Sequence, residues 1–328
     1  MTKIRFQKIV AIAACLAVAI FASCKKDTPD LNGSVTVSPA ANVFTGDELT
    51  AAYSGSETVT WQWNKNGTAI NGATAAKYVT DEYGSYTVTA TATGYNDKTS
   101  APIEVKPVTL LLKRETSDGW RAEYEYDKQN RITKRNIYSI ANGQLRNVET
   151  LKYNSTNGDL EELERKFLDD PTQNHKITFT KNGNKITAYT NNGIVFYEFE
   201  LNPQGLPAKY TANEINTVYT WQNGNLTKKE TDISGIGSVE NYTYDDKKSP
   251  FYHCKTPRWY LLQYEGWYLH SVNNFINFSG YWTNDENTLY NSIYEYDYLN
   301  VEGFPVSRKL FVGGLGFVLE ESFSYVKK

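Results

Sequence analysis

Between residues 108 and 328 one pattern keeps returning: aromatic side chains at alternate positions, a polar turn, then a second run opening on Leu or Ile. Its instances are "YEYDKQNRITK" from Tyr124, "LKYNSTNGDLEEL" from Leu151, "ITFTKNGNKITAY" from Ile177 and "YEFELNPQGLPAKY" from Tyr197. It continues with "YTWQNGNLTKKE" from Tyr219, "YTYDDKKSPF" from Tyr242, "YEYDYLNVEGFPVSRKL" from Tyr294 and a closing "ESFSY". The second aromatics, Tyr126, Tyr153, Phe179, Phe199, Trp221 and Tyr244, follow one another at 27, 26, 20, 22 and 23 residues. A nearly constant step of this size marks one supersecondary unit that stacks on its own copies. Within a unit the period is two: Ala122, Tyr124 and Tyr126 share one face, and Glu123, Glu125 and Asp127 the other. A dry face and a wet face on one strand predict an antiparallel meander of hairpins, not a parallel sheet. Seven or eight such hairpins amount to about 14 strands, a width at which a twisted sheet curls or splits. The expectation is an all-β fold whose C-terminal part is a rolled sheet, a half-barrel of hairpin repeats or a long twisted sandwich.

Residues 33–107 read as a separate β unit. Short alternating runs such as Val35-Thr36-Val37, Val59–Trp63, Ser85–Thr89 and Ile103-Glu104-Val105 are punctuated by turn signals at Gly46-Asp47, Asn66-Gly67, Asn71-Gly72 and Gly94. The stretch "WNKNGTAI" from Trp63 resembles the C strand of immunoglobulin domains, whose Trp fills the space between two sheets. "DEYGSYTV" resembles the F strand, with Tyr86 placed for a tyrosine corner. Val88 stands where a disulfide Cys would be, with small residues near Ala51 facing it. The resemblance implies an immunoglobulin-like β-sandwich over 33–107. In the same sense the hairpins of 108–328 resemble YD (RHS-like) repeats, best at Tyr124–Lys134. "YTYDDKKSPF" with the later "SVNN" at Ser271–Asn274 resembles a group of Bacteroidetes lipoproteins of unassigned function. That likeness implies a β-hairpin fold and no activity.

The N-terminus fixes location. Lys3, Arg5 and Lys8 precede an apolar run, Ile9–Ala22, that ends at Phe21-Ala22-Ser23-Cys24. This is the order of a secretory signal peptide, and the run is too short for the roughly 20 residues of a membrane-crossing helix. With Cys24 at the cut, residues 1–24 resemble a bacterial lipoprotein precursor, implying a lipid on Cys24 and membrane attachment through it. Residues 24–32 then form a polar tether. Lys25 in place of Asp implies, by resemblance to enteric lipoproteins, the outer membrane. The short charged stretch resembles surface-export signals. A transmembrane barrel shares the same alternation, but the lipid already supplies an anchor.

Removing residues 1–23 leaves 31 Lys and Arg against 37 Asp and Glu, a net charge of −6. Such a mixed, mildly acidic chain excludes a nucleic-acid partner, which needs a basic face. Cys254 is the one cysteine left for the mature chain, so no internal disulfide forms. The chain has no Gly-rich phosphate loop, nucleophile elbow or His-Glu-x-x-His run, and no cofactor is expected.

The repeat breaks between residues 250 and 290. Positions 251–290 hold 12 aromatics, well above the 14% of the whole chain. Trp259, Trp267 and Trp282, with Tyr260, Tyr264, Tyr268 and Tyr281, are the candidate ligand-binding residues: flat π faces that stack on a sugar or peptide. The competing reading has this insert fill the open end or the dry face of the sheet. Thr256-Pro257 suits the start of a short helix. His253 and Cys254 adjoin as a nucleophile–base pair would, but neighbours on a strand face opposite ways, and a core thiol is the plainer reading. His175, His253 and His270 without a Cys pair give a zinc site little support. Asp169-Asp170 and Asp245-Asp246 read as solvated turns before calcium ligands. The expectation is a non-enzymatic surface binding or adhesion module for a glycan or an outer-membrane partner protein. The alternative is a carbohydrate-active hydrolase using exposed carboxylates such as Glu123, Glu125, Glu198 or Glu200.

Overall fold

The computed structural model of the chain describes residues 28–265, 270–298 and 302–328. Its first strands are β1 (Val35–Ser38), β2 (Val43–Phe44), β3 (Glu48–Tyr53), β4 (Thr60–Lys65), β5 (Thr68–Ala69), β6 (Lys77–Val79), β7 (Gly84–Thr91), β8 (Lys98–Thr99) and β9 (Ile103–Lys106). They form two sheets, β1-β3-β6 and β2-β9-β7-β4-β5, with β8 on β7. Val35, Val37 and Leu49 of the first sheet share one buried cluster with Trp63, Tyr86 and Val88 of the second. Trp63 is fully buried and its Nε1 donates to the Ala75 carbonyl at 2.9 Å, so its one polar atom is satisfied. The Tyr86 hydroxyl donates to the Glu82 carbonyl at 2.8 Å, and Val88 and Ala51 are both buried in that core.

The hairpin region is β10 (Thr109–Thr116), β11 (Trp120–Tyr126), β12 (Ile132–Ser139), β13 (Leu145–Tyr153), β14 (Leu160–Phe167), β15 (His175–Asn182), β16 (Lys185–Tyr189) and β17 (Val195–Leu201). It continues as β18 (Pro207–Ala212), β19 (Ile215–Gln222), β20 (Asn225–Ile233), β21 (Ile236–Lys248), β22 (Asn273–Trp282), β23 (Asp285–Asp297), β24 (Ser307–Val312) and β25 (Gly316–Lys327). Each strand pairs antiparallel with the next, and β25 returns to β10 in a register running from Thr109↔Lys327 to Thr116↔Glu321. The result is a closed barrel of 16 strands. This corrects the expected rolled sheet or half-barrel of about 14 strands. Closure leaves no unpaired strand edge, and the β10–β25 seam has no local sequence signal to announce it.

Ion pairs stud the outer face of the wall, beside exposed Leu112, Val218 and Ile293, and apolar side chains dominate the inner face. Lys113–Glu115, Arg121–Glu123, Lys134–Glu125, Lys176–Glu162, Lys185–Glu198 and Lys228–Glu230 pair on the outer face. Ala122, Tyr124, Leu163, Phe179, Tyr197 and Phe199 are buried inward. A lipid-embedded strand alternates the other way, and an Arg or Lys facing lipid at mid-bilayer costs about 2–4 kcal/mol.

The repeated second aromatic has a structural task. The Tyr126 hydroxyl donates to the Leu111 carbonyl at 2.8 Å, Tyr153 to Ile132 at 2.9 Å, Tyr244 to Leu226 at 2.7 Å, Tyr296 to Phe275 at 2.8 Å and Tyr325 to Pro305 at 2.7 Å. Trp221 Nε1 does the same to Pro207. Each of these six aromatics thereby ties its strand to the segment before it, while Phe179 and Phe199, at the same place in their units, have no donor and serve by packing alone. Removing one hydroxyl leaves a carbonyl without its donor. Tyr126→Phe is therefore expected to lower stability by about 1 kcal/mol, and adding the distant Tyr244→Phe by about the same again. Urea midpoints of the single and double variants check this, and an unchanged double variant would refute the tie.

An insert leaves the wall after β21 and enters the lumen. Its helix α1 (Arg258–Tyr264) follows Pro257 at the N-cap position, as the Thr256-Pro257 signal suggested. Trp259, Tyr260 and Leu261 are buried in the same cluster as the inner wall. The Trp259 ring meets Phe179 edge-on at 4.9 Å between centroids, and the Tyr264 and Tyr197 hydroxyls lie 3.0 Å apart. The chain rejoins the wall at Asn273, so the break is narrower than 250–290: Phe275, Tyr281 and Trp282 belong to β22.

Charges inside the lumen fix the helix. Arg135 bridges Glu149 of the wall at 2.7 Å and Glu265 after the helix at 2.9 Å. Tyr124 donates to Glu265 at 2.8 Å, Arg165 holds the other side of Glu149, and Glu321 sits between Arg114 and Arg308. An uncompensated charge here would be costly, and each carboxylate has at least one guanidinium.

Candidate ligand site at the open mouth

The two ends of the barrel differ. At one end the N-terminal sheets meet the rim: Asn130 Nδ2 donates to the Thr45 carbonyl, Lys255 pairs with Asp47, and Lys128 lies 3.7 Å from Asp81. Gly46 has φ +89°, and a Cβ there would run into Asn130, so glycine permits both the turn and the close approach. The insert enters from this end. The opposite end is ringed by the turns after β10, β12, β14, β16, β18, β20, β22 and β24, and it carries exposed apolar tips: Leu168, Ile194, Ile236, Trp282, Phe317 and Leu315, the last 76% exposed.

Inside this mouth a cavity of about 580 Å³ is walled by Ile233, Ile236, Phe278, Trp282 and Tyr290. Polar groups from Lys229, Thr231, Ser238 and Glu240 line its deeper part. A second cavity of about 280 Å³ shares Lys229 and Thr231 with the first. It runs inward past Tyr210, Thr217, Tyr219 and Tyr242 to Leu262 and Gln263 of α1. The plugging helix is therefore the floor of the site.

Strand period places these groups. Lys229, Thr231 and Ile233 fall on the inward face of β20, Ser238, Glu240 and Tyr242 on that of β21, and Phe278 and Trp282 on that of β22. Lys229 Nζ lies 3.4 Å from Glu240 Oε2, and Tyr242 and Tyr290 both donate to the same carboxylate. Burial lowers the Lys229 ammonium pKa, against the pull of Glu240. Burial and then Glu240 raise the Tyr290 hydroxyl to about 12. Trp282 and Tyr290 present rings 6.3 Å apart, tilted by 46°. The site can stack a flat ligand, offer hydroxyl and carboxylate partners beneath it, and exclude water at its lip.

Of the residues named from sequence, Trp282 stands at this mouth, 41% exposed. Tyr281 is half-buried on the other face of β22, opposite Val239. Trp259 and Tyr260 are buried, at 3% and 0% exposure, and Tyr264 packs against the same core. The insert residues within the described chain therefore gather in the lumen and not on an exposed platform. Trp267, Tyr268, Cys24 and the signal segment lie outside the described residues. Sequence reasoning missed Lys229, Glu240, Ile233, Ile236 and Tyr290. One signal was legible: Ile233 and Ile236 flank a tight Ser234-Gly235 turn, where a solvated turn would carry polar residues.

The other candidate groups are committed elsewhere. His253 Nδ1 accepts from the Thr109 amide at 3.0 Å, its ring packs near Phe44 and Phe304, and burial lowers its pKa. Cys254 is buried in the barrel core, where desolvation pushes its thiol up, the opposite of what a nucleophile needs. Glu123, Glu125 and Glu198 are held in ion pairs on the outer wall. Asp169 pairs with Arg146, Asp170 caps a short 3-10 turn, and Asp245 accepts from Asn274 and Tyr298. Among the described residues no group of three or more His, Cys, Asp or Glu is placed to hold a metal ion.

No family model matches the sequence, and no curated protein matches it. Among solved structures, a porin-like protein from Bacteroides uniformis aligns at 12% identity and TM-score 0.33, covering 66% of this chain and 98% of that one. A porin-like protein from Bacteroides vulgatus aligns at 11% identity and TM-score 0.33, covering 66% and 99%. An exotype rhamnogalacturonan lyase, YesX, aligns at 13% identity and TM-score 0.17, covering 92% of this chain and 40% of that chain.

Proposed function

We propose that the chain is an outer-membrane lipoprotein, anchored through Cys24 and displayed at the cell surface, whose barrel is a non-catalytic cup for a glycan. One observation carries this reading: the barrel is plugged from one end by its own helix and open at the other on a cavity of about 580 Å³ with Trp282 and Tyr290 at its lip. Aromatic faces beside a carboxylate, an ammonium and hydroxyls are the groups that hold sugar rings. The outward charge pairs support a barrel hung in water from a lipid over one that crosses the bilayer. Residues 33–107 serve as an immunoglobulin-like spacer, a reading supported by Trp63 in the shared core, the Tyr86–Glu82 hydrogen bond and the Val88–Ala51 neighbourhood. The hairpins are YD-like units, supported by the tyrosine ties between neighbours. Carboxylates committed to outer ion pairs favour binding over hydrolysis.

The test is a glycan array with the chain from residue 25 onward, followed by product analysis on each hit. Binding without released sugar, weakened at least tenfold by Trp282→Ala with an unchanged melting temperature, is the expected result. Released sugar would make the protein a hydrolase, and binding indifferent to Trp282 would move the site elsewhere. Palmitate labelling that survives Cys24→Ala would remove the anchor. The exposed tips Ile194, Leu315 and Phe317 favour a second reading, a partner protein seated on the mouth, which a silent array from a well-folded chain would promote.

A further inference from the structure

The two cavities in series differ in chemistry along one path. The outer one is bounded by branched aliphatic and aromatic side chains, and Ile233 and Ile236 are 44% and 51% exposed at its lip. The inner one is lined by Ile215, Leu226 and Leu262 but adds hydroxyls from Tyr210, Thr217, Tyr219 and Tyr242 and the Gln263 amide, which partners the Tyr210 hydroxyl. Their junction is the Lys229–Glu240 pair, which carries no net charge. A bare sugar would cover the faces of Trp282 and Tyr290 but would set its hydroxyls against Ile233 and Ile236, which offer no hydrogen bond. A free fatty acid would bring its carboxylate to a junction that already holds one carboxylate, Glu240, against which it would be repelled. A single molecule matching both chambers has an uncharged, hydroxyl-rich head and an apolar tail.

We propose that the mouth takes an amphiphile of the glycoside type. Its sugar head sits in the inner chamber on Gln263 and the tyrosine hydroxyls, and its hydrocarbon chain lies against Ile233, Ile236 and Trp282. This rests on the reading of the barrel as a binding cup, and it moves the sugar from the lip to the inner chamber. The Lys229–Glu240 pair then orients hydroxyls at the junction, donating from the ammonium and accepting on the carboxylate.

The experiment titrates the chain from residue 25 onward with methyl, hexyl and octyl β-D-glucoside below their micelle-forming concentrations, and with octanoate, by calorimetry and tryptophan fluorescence. Affinity is expected to rise roughly twofold to fourfold per added methylene, the gain from burying a CH₂ partly or fully. Octanoate is expected to bind at least tenfold more weakly than octyl glucoside. Ile233→Ser with Ile236→Ser, both exposed and so tolerable to the fold, is expected to flatten the chain-length slope at an unchanged melting temperature. Equal affinity for methyl and octyl glucoside overturns the amphiphile while leaving a glycan cup intact. Octanoate binding as tightly as octyl glucoside overturns the sugar head, and an unchanged slope in the double variant overturns the placement of the chain. Absence of any saturable, Trp282-dependent binding overturns this inference and the cup together.

Discussion

Arg135→Ala is expected to lower the stability of the barrel by about 3–5 kcal/mol, because it leaves Glu265 without a guanidinium and Glu149 with Arg165 alone. Arg135 lies between Glu149 and Glu265, and its Nη1 also donates to the Tyr264 carbonyl at 3.0 Å, so one side chain ties wall to helix. Guanidinium denaturation at neutral pH measures the loss. The pH dependence gives a second readout. Burial alone would raise Glu149, but Arg135 and Arg165 outweigh it and hold the carboxyl below the usual 4.5. A lowered carboxyl contributes stability above its unfolded value, and that contribution is lost as pH falls through the folded one. Burial raises Glu265, with Arg135 pulling it down, so losing Arg135 pushes that group further toward the neutral form. The penalty should therefore be largest at neutral pH and should shrink as pH falls, first above 4.5 as Glu265 takes up its proton and then as Glu149 does. A penalty independent of pH would mean that Arg135 acts through packing alone.

Trp259→Ala is expected to cost about 3–5 kcal/mol, the usual cost of emptying a buried aromatic site. The indole sits in the lumen against Phe179 and Phe199, 4.9 and 6.2 Å away between centroids. Thermal melts of Trp259→Ala and Trp282→Ala separate two roles for the same residue type: the first should melt early, the second should melt as the parent does and lose ligand. The reverse pattern would return the site to the insert.

Much of this architecture was legible in the sequence. Period-two alternation around Tyr124 named the face that became the inner wall, and the recurring second aromatic marked the strands that the tyrosine hydroxyls now tie together. Thr256-Pro257 announced the helix. Barrel closure was not legible, because Thr109 and Lys327 are partners only through the curvature that the intervening strands accumulate. The site was half legible. Trp282 was named for the right chemistry but within an insert that proved to be mostly plug, since aromatic density looks the same whether rings fill a lumen or line a mouth. Lys229 and Glu240 are two ordinary members of a charged, alternating sequence, and only the inward turn of β20 and β21 distinguishes them from their outward neighbours Lys228 and Glu230.

The seam between β10 and β25 has a consequence in time. Each hairpin joins neighbours across a short turn, whereas the seam joins groups such as Arg114 and Glu321, 207 residues apart. Local pairings form early, and those of high sequence separation must first meet the entropy of closing a long loop. During that interval the sheet has two bare edges, each a template for pairing with another chain. Glu321 sits in the final strand and carries partners from both sides of the seam, Arg114 and Arg308. Its burial is therefore the step that ends the exposure. A barrel of this kind spends its vulnerable moments as an almost complete sheet, and how long that lasts is set by the arrival of one strand.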